Sequence, residues 1–266
     1  SEQASSATAA SRCTSASRAN AEFGFPVIAM SRPPWRLTSG TTVSNDFVVN
    51  SMGPSPWRGA INHDGAVVGG TVITLDGNVA LDGDSRIGMG GQSHNNMVIN
   101  GAITGPGGLY VNEHYASGDN SLILSNAANS WSGGTYVEGG NLQINTATLP
   151  GNWVCLTNTQ GNAMLVFDQA VNNSYGGWIY GSGGVNKLNT GTLTLSCATN
   201  IYSGVTVFTG GALNVPVIPN YGVVSSIGKR AASDDAGGNV GLLFRGGTLQ
   251  YTNGTAQSTD RQIRMG

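Results

Sequence analysis

The amino-acid sequence predicts an all-β chain wound into a parallel β-solenoid, and three observations carry that prediction. Short runs alternate apolar with small polar side chains, as in "GTVITLDGN", "SLILSN", "NLQIN", "TLTLS" and "GALNV"; period two with β-branched residues is the strand signature. Turn residues separate these runs, and glycine alone supplies 41 of 266 residues. A long stretch also recurs: residues 120–144 align with 191–215 at an offset of 71, and residues 103–111 align with 179–187 at an offset of 76. Long-period repetition is the mark of stacked architectures.

Taken in chain order, residues 1–36 show no usable period. They hold Ser, Ala and Arg, then "SRPPWR", where Pro33 and Pro34 block helix and central strand alike. This stretch reads as an irregular N-terminal arm or cap, with the solenoid running over residues 37–266. From "TTVSNDFVV" at Thr41 onward, strand-like runs alternate with Gly/Asn/Asp/Ser turns to the end of the chain. No window carries an apolar stripe at helical spacing. The copies of the repeat lie near 103–145 and 179–215, and the first has five extra residues around "EHYASGD".

The repeat has a physical rationale. One unit cannot bury both faces of its strands, whereas stacked units pair each strand with the same strand of the next coil. Leu122, Leu124, Val137, Leu142 and Ile144 are expected inside in the first copy, with Leu193, Leu195, Phe208, Leu213 and Val215 in the second. Each such side chain contributes roughly 1.5–3 kcal/mol on burial. Their Thr, Ser, Asn and Gln alternates suit a solvated face. Gly139-Gly140 and Gly210-Gly211 are expected at corners that need positive φ. Asn129 and Asn200 are placed at corners too, with their amides bonded to backbone or stacked. Trp131 and Tyr202 occupy equivalent positions two residues later, filling the core.

The second copy, "GSGGVNKLNTGTLTLSCATNIYSGVTVFTGGALNV", closely resembles the passenger-associated transport repeat of autotransporters and related bacterial surface proteins. Gly181, Gly183, Lys187, Gly191, Thr192, Leu193, Thr194, Leu195, Asn200, Tyr202, Gly204, Thr206, Gly210 and Leu213 match its pattern. The sequence departs from it at Cys197, at Val185 and at Gly211-Ala212; the first copy matches more loosely, with Trp131 in the aromatic place. The resemblance implies a right-handed parallel β-helix outside a bacterial cell. It specifies architecture far more than activity, since such helices carry adhesins, enzymes and spacers.

Few side chains stand out against this background as candidate sites. Asp82 and Asp84 lie in "LDGNVALDGDSRIG", read as tight turns, with a calcium site as the alternative. Asp234 and Asp235 read as a solvated loop rather than a carboxylate pair for glycoside chemistry. His63 in "NHDG" and His94 in "QSHNN" read as turns, and His114 lies in the five-residue insertion. Neither a zinc-binding histidine pair nor a nucleophile elbow is present. Trp35, Trp57, Trp153 and Trp178 are the candidates for contact with a partner or glycan. Cys13, Cys155 and Cys197 are too few for a disulfide scaffold; Cys155 and Cys197 read as buried thiols, with a mutual bond as the alternative. Sequons stand at Asn172 and Asn253.

Composition narrows the function. Net charge is −2 and only Lys187 and Lys229 are lysines, which argues against a nucleic-acid binder or a polybasic membrane anchor. No catalytic set, cofactor or membrane-inserting segment is expected. The chain does not begin with Met, consistent with a processed or excised segment. The expected role is an extracellular structural passenger module, with open strand edges that stack on other copies into a fibre. An adhesin or carbohydrate-binding β-helix that meets a glycan or host surface is the alternative, and a glycan-degrading enzyme the third.

Overall fold

The computed structural model describes residues 35–37, 40–55, 58–64, 70–90, 94–113, 119–151, 153–238 and 240–266. The expectations for residues 1–34, Trp57 and His114 lie outside them. The first coil holds β1 (Trp35–Leu37), β2 (Thr42–Val43) and β3 (Phe47–Val49); the second holds β4 (Ile61–Asp64), β5 (Val72–Leu75) and β6 (Val79–Leu81). The third holds β7 (Ser85–Gly90), β8 (Asn96–Ile99) and β9 (Ile103–Thr104). Two strands each follow in the next two coils: β10 (Leu109–Glu113) and β11 (Ser121–Leu124), then β12 (Thr135–Val137) and β13 (Asn141–Ile144). Three-stranded coils return with β14 (Trp153–Leu156), β15 (Met164–Asp168) and β16 (Asn173–Tyr175), then β17 (Trp178–Gly181), β18 (Gly184–Leu188) and β19 (Thr192–Leu195). The last strands are β20 (Thr206–Phe208), β21 (Ala212–Val215), β22 (Leu242–Phe244), β23 (Thr248–Tyr251) and β24 (Ile263–Met265).

These strands stack into the sides of a solenoid. The first side is the sheet β1-β4-β7-β10-β12-β14-β17, and the second is β2-β5-β8-β11-β13-β15-β18-β20-β22-β24. The third side comes in two blocks, β3-β6-β9 and β16-β19-β21-β23. All pairings between these strands are parallel, as a β-solenoid requires. At about 4.8 Å per rung, the ten strands of the second side rise over roughly 43 Å. β1 already pairs with β4, Trp35 opposite Ile61, so among the described residues the ladder includes Trp35.

The core is a set of columns inside this winding. Met97, Leu122, Leu142 and Leu165 stack in register on the second side, and all are fully buried. Each of the ten inward positions expected from the two copies is buried. The outer face is less polar than expected. Val98, Ile123, Gln143, Val166 and Asn186 form one outward column, continued by Val207 and Leu243. Rungs 4.8 Å apart cover one another's flanks, which lets Val166 and Val207 reach burial on the outside of the sheet.

The repeat itself is organised differently from the expected stacking of like strands. Within each copy, the Leu-x-Leu strand lies under the strand that follows Gly-Gly: Leu122 opposes Leu142, and Leu193 opposes Leu213. The two copies also occupy different sides. β10, β11, β12 and β13 alternate between first and second sides, whereas β18, β19, β20 and β21 alternate between second and third. A repeat is thus two strands and an arc, wound nearly twice. The arc takes the third side in the first copy, where Ser130 N–H donates to Ile103 O at 2.9 Å. It takes the first side in the second copy, where Ile201 N–H donates to Ile179 O at 3.0 Å.

Candidate functional site

The arcs place the corner residues. Asn129 accepts the Ile103 N–H on Oδ1 and donates from Nδ2 to Thr148 O, both at 2.8 Å. Asn200 does the same with Ile179 N–H at 2.8 Å and Ser226 O at 2.9 Å. Each carboxamide therefore joins the coil before to the coil after. Two residues on, the aromatic turns inward. Trp131 donates from Nε1 to Gly134 O and Thr135 Oγ1, both at 3.1 Å, and the Tyr202 hydroxyl lies 2.9 Å from Thr206 Oγ1. Both rings are buried in the core, as expected. Burial pushes the Tyr202 phenol up to about 12, against smaller lowering effects from Thr206 and Arg261.

Glycine serves the same corners. Gly140 and Gly211, the second residue of each pair, turn the chain between strands at φ of 69° and 57°. Gly139 and Gly210 precede them without positive φ and abut Gln160 and Asn189. Lys187 is wholly buried, and its ammonium donates to Leu188 O at 2.6 Å, Asn189 O at 2.9 Å, and Gln169 O and Gly210 O at 3.3 Å. Desolvation lowers its pKa, partly offset by Asp168. These carbonyls belong to three successive coils, so the charge ties them together.

The outward face of the first side carries an aromatic ladder. Tyr110 stacks on Tyr136 with centroids 4.1 Å apart, and Tyr136 meets Trp153 edge-on at 4.9 Å. Trp153 lies 5.8 Å from Tyr180, which stacks on Trp178 at 4.1 Å. The ladder thus joins Trp153 and Trp178 to Tyr110, Tyr136 and Tyr180. The repeated "GGLY" and "GGTY" put Tyr110 and Tyr136 at one distance from a Gly-Gly pair, which is the signal that was available. Arg86 clasps Glu138 at 2.6 Å and 3.1 Å beside it. Burial raises the Tyr110 pKa, reinforced by Tyr136 and by the Asp84 and Glu138 carboxylates.

The candidate carboxylates lie in different settings. Asp84 accepts Gly108 N–H at 2.9 Å, a turn role, while Asp82 is exposed. Among the described residues, no three potential metal ligands come together. Asp235 is not solvated as expected: it is buried between the Arg230 guanidinium and the Tyr221 hydroxyl. Arg230 also donates to Ser203 O and Asp234 O at 2.6 Å, fixing the long β21–β22 connection against the arc. His63 also differs from its expected turn, being buried in β4 with Nε2 3.2 Å from Thr71 Oγ1. Cys197 is a half-buried free thiol, and Cys155 is disulfide-bonded, so neither is the buried thiol expected. No helix among the described residues is long and apolar enough to cross a membrane.

Comparison with known proteins agrees with this corner geometry. The family model for the passenger-associated-transport-repeat matches residues 116–144 and 185–215. These two stretches are similar to passenger-associated transport repeats. Each match runs through the Asn–aromatic arc and ends on the strand after Gly-Gly, the first spanning β11 to β13 and the second β18 to β21. The chain is also similar to the adhesin BmaC autotransporter of Brucella suis biovar 1 (strain 1330), with 28% identity over 269 residues. That similarity covers 86% of this chain but 8% of the relative, so the chain spans a small part of that protein's length. No solved structure matches. The molecule is thus a β-solenoid, similar to an autotransporter passenger, in which two stretches match the transport repeat.

Proposed function

We propose that this solenoid is a rigid structural module of a surface-displayed passenger, holding its ends apart outside the cell rather than catalysing a reaction. The observation that supports it best is the unbroken parallel ladder of the second side, in which ten strands join coil to coil. Such a ladder resists bending because displacing one rung breaks backbone bonds to two neighbours. The adhesin named among its relatives supports a surface role. Contact with a glycan through Trp153 and Trp178 is the reading a glycan array tests; stacking of Trp178 on Tyr180 takes one ring face away from it. An enzymatic reading would require loss of glycan cleavage on changing Asp82, Asp84, Asp234 or Asp235.

A second reading is end-to-end association of copies through the parallel strand edges of the solenoid. Electron microscopy across a concentration series separates the two. Rods of constant length support the module, filaments that lengthen with concentration support association, and flexible or compact particles overturn both.

A further inference from the structure

We propose that Asn253 is a site of spontaneous covalent modification, converting to aspartate and isoaspartate, while the solenoid holds the other Asn-Gly dipeptide, Asn100-Gly101, unreactive. The chemistry needs only the chain and water. The Gly254 backbone nitrogen attacks Asn253 Cγ and forms a C–N bond. The side-chain nitrogen leaves as ammonia with the proton released by the Gly254 amide, closing a five-membered succinimide. One water then opens the ring at either carbonyl, giving aspartate or isoaspartate.

Both asparagines are exposed, and the two dipeptides differ in what holds the carboxamide and the glycine nitrogen. Asn253 is exposed, and among the described residues no hydrogen bond holds its carboxamide. Gly254 sits at φ +72° with no atom within 4 Å of where a Cβ would lie, so no neighbouring coil is packed against this glycine as one is against Gly101. The carboxamide of Asn100 is fastened at both ends: Nδ2 donates to Asp76 Oδ1 at 2.8 Å and Oδ1 accepts from Ser125 Oγ at 2.7 Å. Its nucleophile is occupied as well, because Gly101 N–H donates to Leu75 O at 3.4 Å and Gly101 is pressed on the Gly77 carbonyl. Modification adds a negative charge, and isoaspartate adds a backbone carbon, to the segment between β23 and β24.

The test is peptide mapping by mass spectrometry of the purified folded chain, sampled during incubation in mildly alkaline buffer, with isoaspartyl methyltransferase labelling as a second readout. The Asn253 peptide is expected to gain about one dalton. It should react at least roughly tenfold faster than the Asn100 peptide, since Asn100 must first release its hydrogen bonds. In denaturant the two rates should converge, and Asn253→Gln should abolish the labelling. An unchanged Asn253 peptide, or equal rates at both sites in the folded chain, would overturn the proposal.

Discussion

The carboxamide oxygen of Asn200 lies 2.8 Å from the backbone nitrogen of Ile179, one coil away. Asn129 holds Ile103 in the same way. Replacing Asn200 with Ala leaves the Ile179 N–H and the Ser226 carbonyl without the partners the side chain supplies, and each buried loss costs about 1–3 kcal/mol. Asn200→Ala should therefore lower stability by roughly 2–4 kcal/mol, more than Asn129→Ala, because Asn129 is only half-buried. Asn200→Asp keeps the acceptor and should fall between. Urea unfolding measures all three, and an Asn200→Ala chain as stable as the parent would refute the bridge.

Tyr202 makes stability depend on alkaline pH. Its pKa in the folded chain is about 12, above the ordinary 10, with burial the main cause. Between those values the folded state keeps the proton that the unfolded state has lost, so stability is full below pH 10 and falls as pH rises toward 12. The loss amounts to roughly 2–3 kcal/mol. Tyr202→Phe removes this slope and the Thr206 bond together: it should be about 1 kcal/mol less stable at neutral pH, yet flatter above pH 10. Chemical unfolding at several pH values checks this, and parallel curves for parent and variant would count against it.

How much of this was legible in the sequence depended on distance along the chain. Leu122 and Leu193 declared themselves as core by local alternation, and Asn129 and Trp131 by recurring as Asn200 and Tyr202. Alternation does not say which side of the solenoid a strand joins. That depends on accumulated coil length, and the three-stranded coils between the copies shift the phase by one side. The burial of Asp235 is hidden in the sequence for a related reason. Its polar, Gly-flanked neighbourhood resembles a solvated loop, while its partners Tyr221 and Arg230 act only once the long connection folds over the arc. Trp153 and Trp178 fall opposite each other through register, which periodicity does not encode.

Gly181 tests the tightness of the stacking. It adopts φ +105°, and a Cβ would fall on the Leu156 carbonyl oxygen of the coil below. Gly181→Ala combines backbone strain of about 1–3 kcal/mol with that collision, so it should unfold the surrounding coils or cost more than 3 kcal/mol in all. Gly151 is the control, because it is exposed and has nothing within 4 Å of a Cβ. Gly151→Ala should be neutral to within about 0.5 kcal/mol. Thermal melts of the two variants should diverge; similar melts would mean the coils can separate at little cost.

Asp235 separates a structural from a catalytic reading of the same acidic pair. Its carboxylate is buried against Arg230 and Tyr221, while Asp234 is exposed and accepts Ala231 N–H at 2.9 Å. Asp235→Ala would strand the buried Arg230 guanidinium, a kind of change that costs about 3–5 kcal/mol. Asp234→Ala removes a local, solvent-accessible bond and should cost about 1 kcal/mol or less. Hydrogen exchange would localise the first effect to residues 221–230 and to the segment beneath them, because Gln262 N–H donates to the Tyr221 hydroxyl at 2.6 Å. A catalytic carboxylate would behave in the opposite way, losing activity on a substrate while stability and exchange stayed unchanged. Measuring exchange and melting on the two variants decides between these roles without knowledge of any substrate.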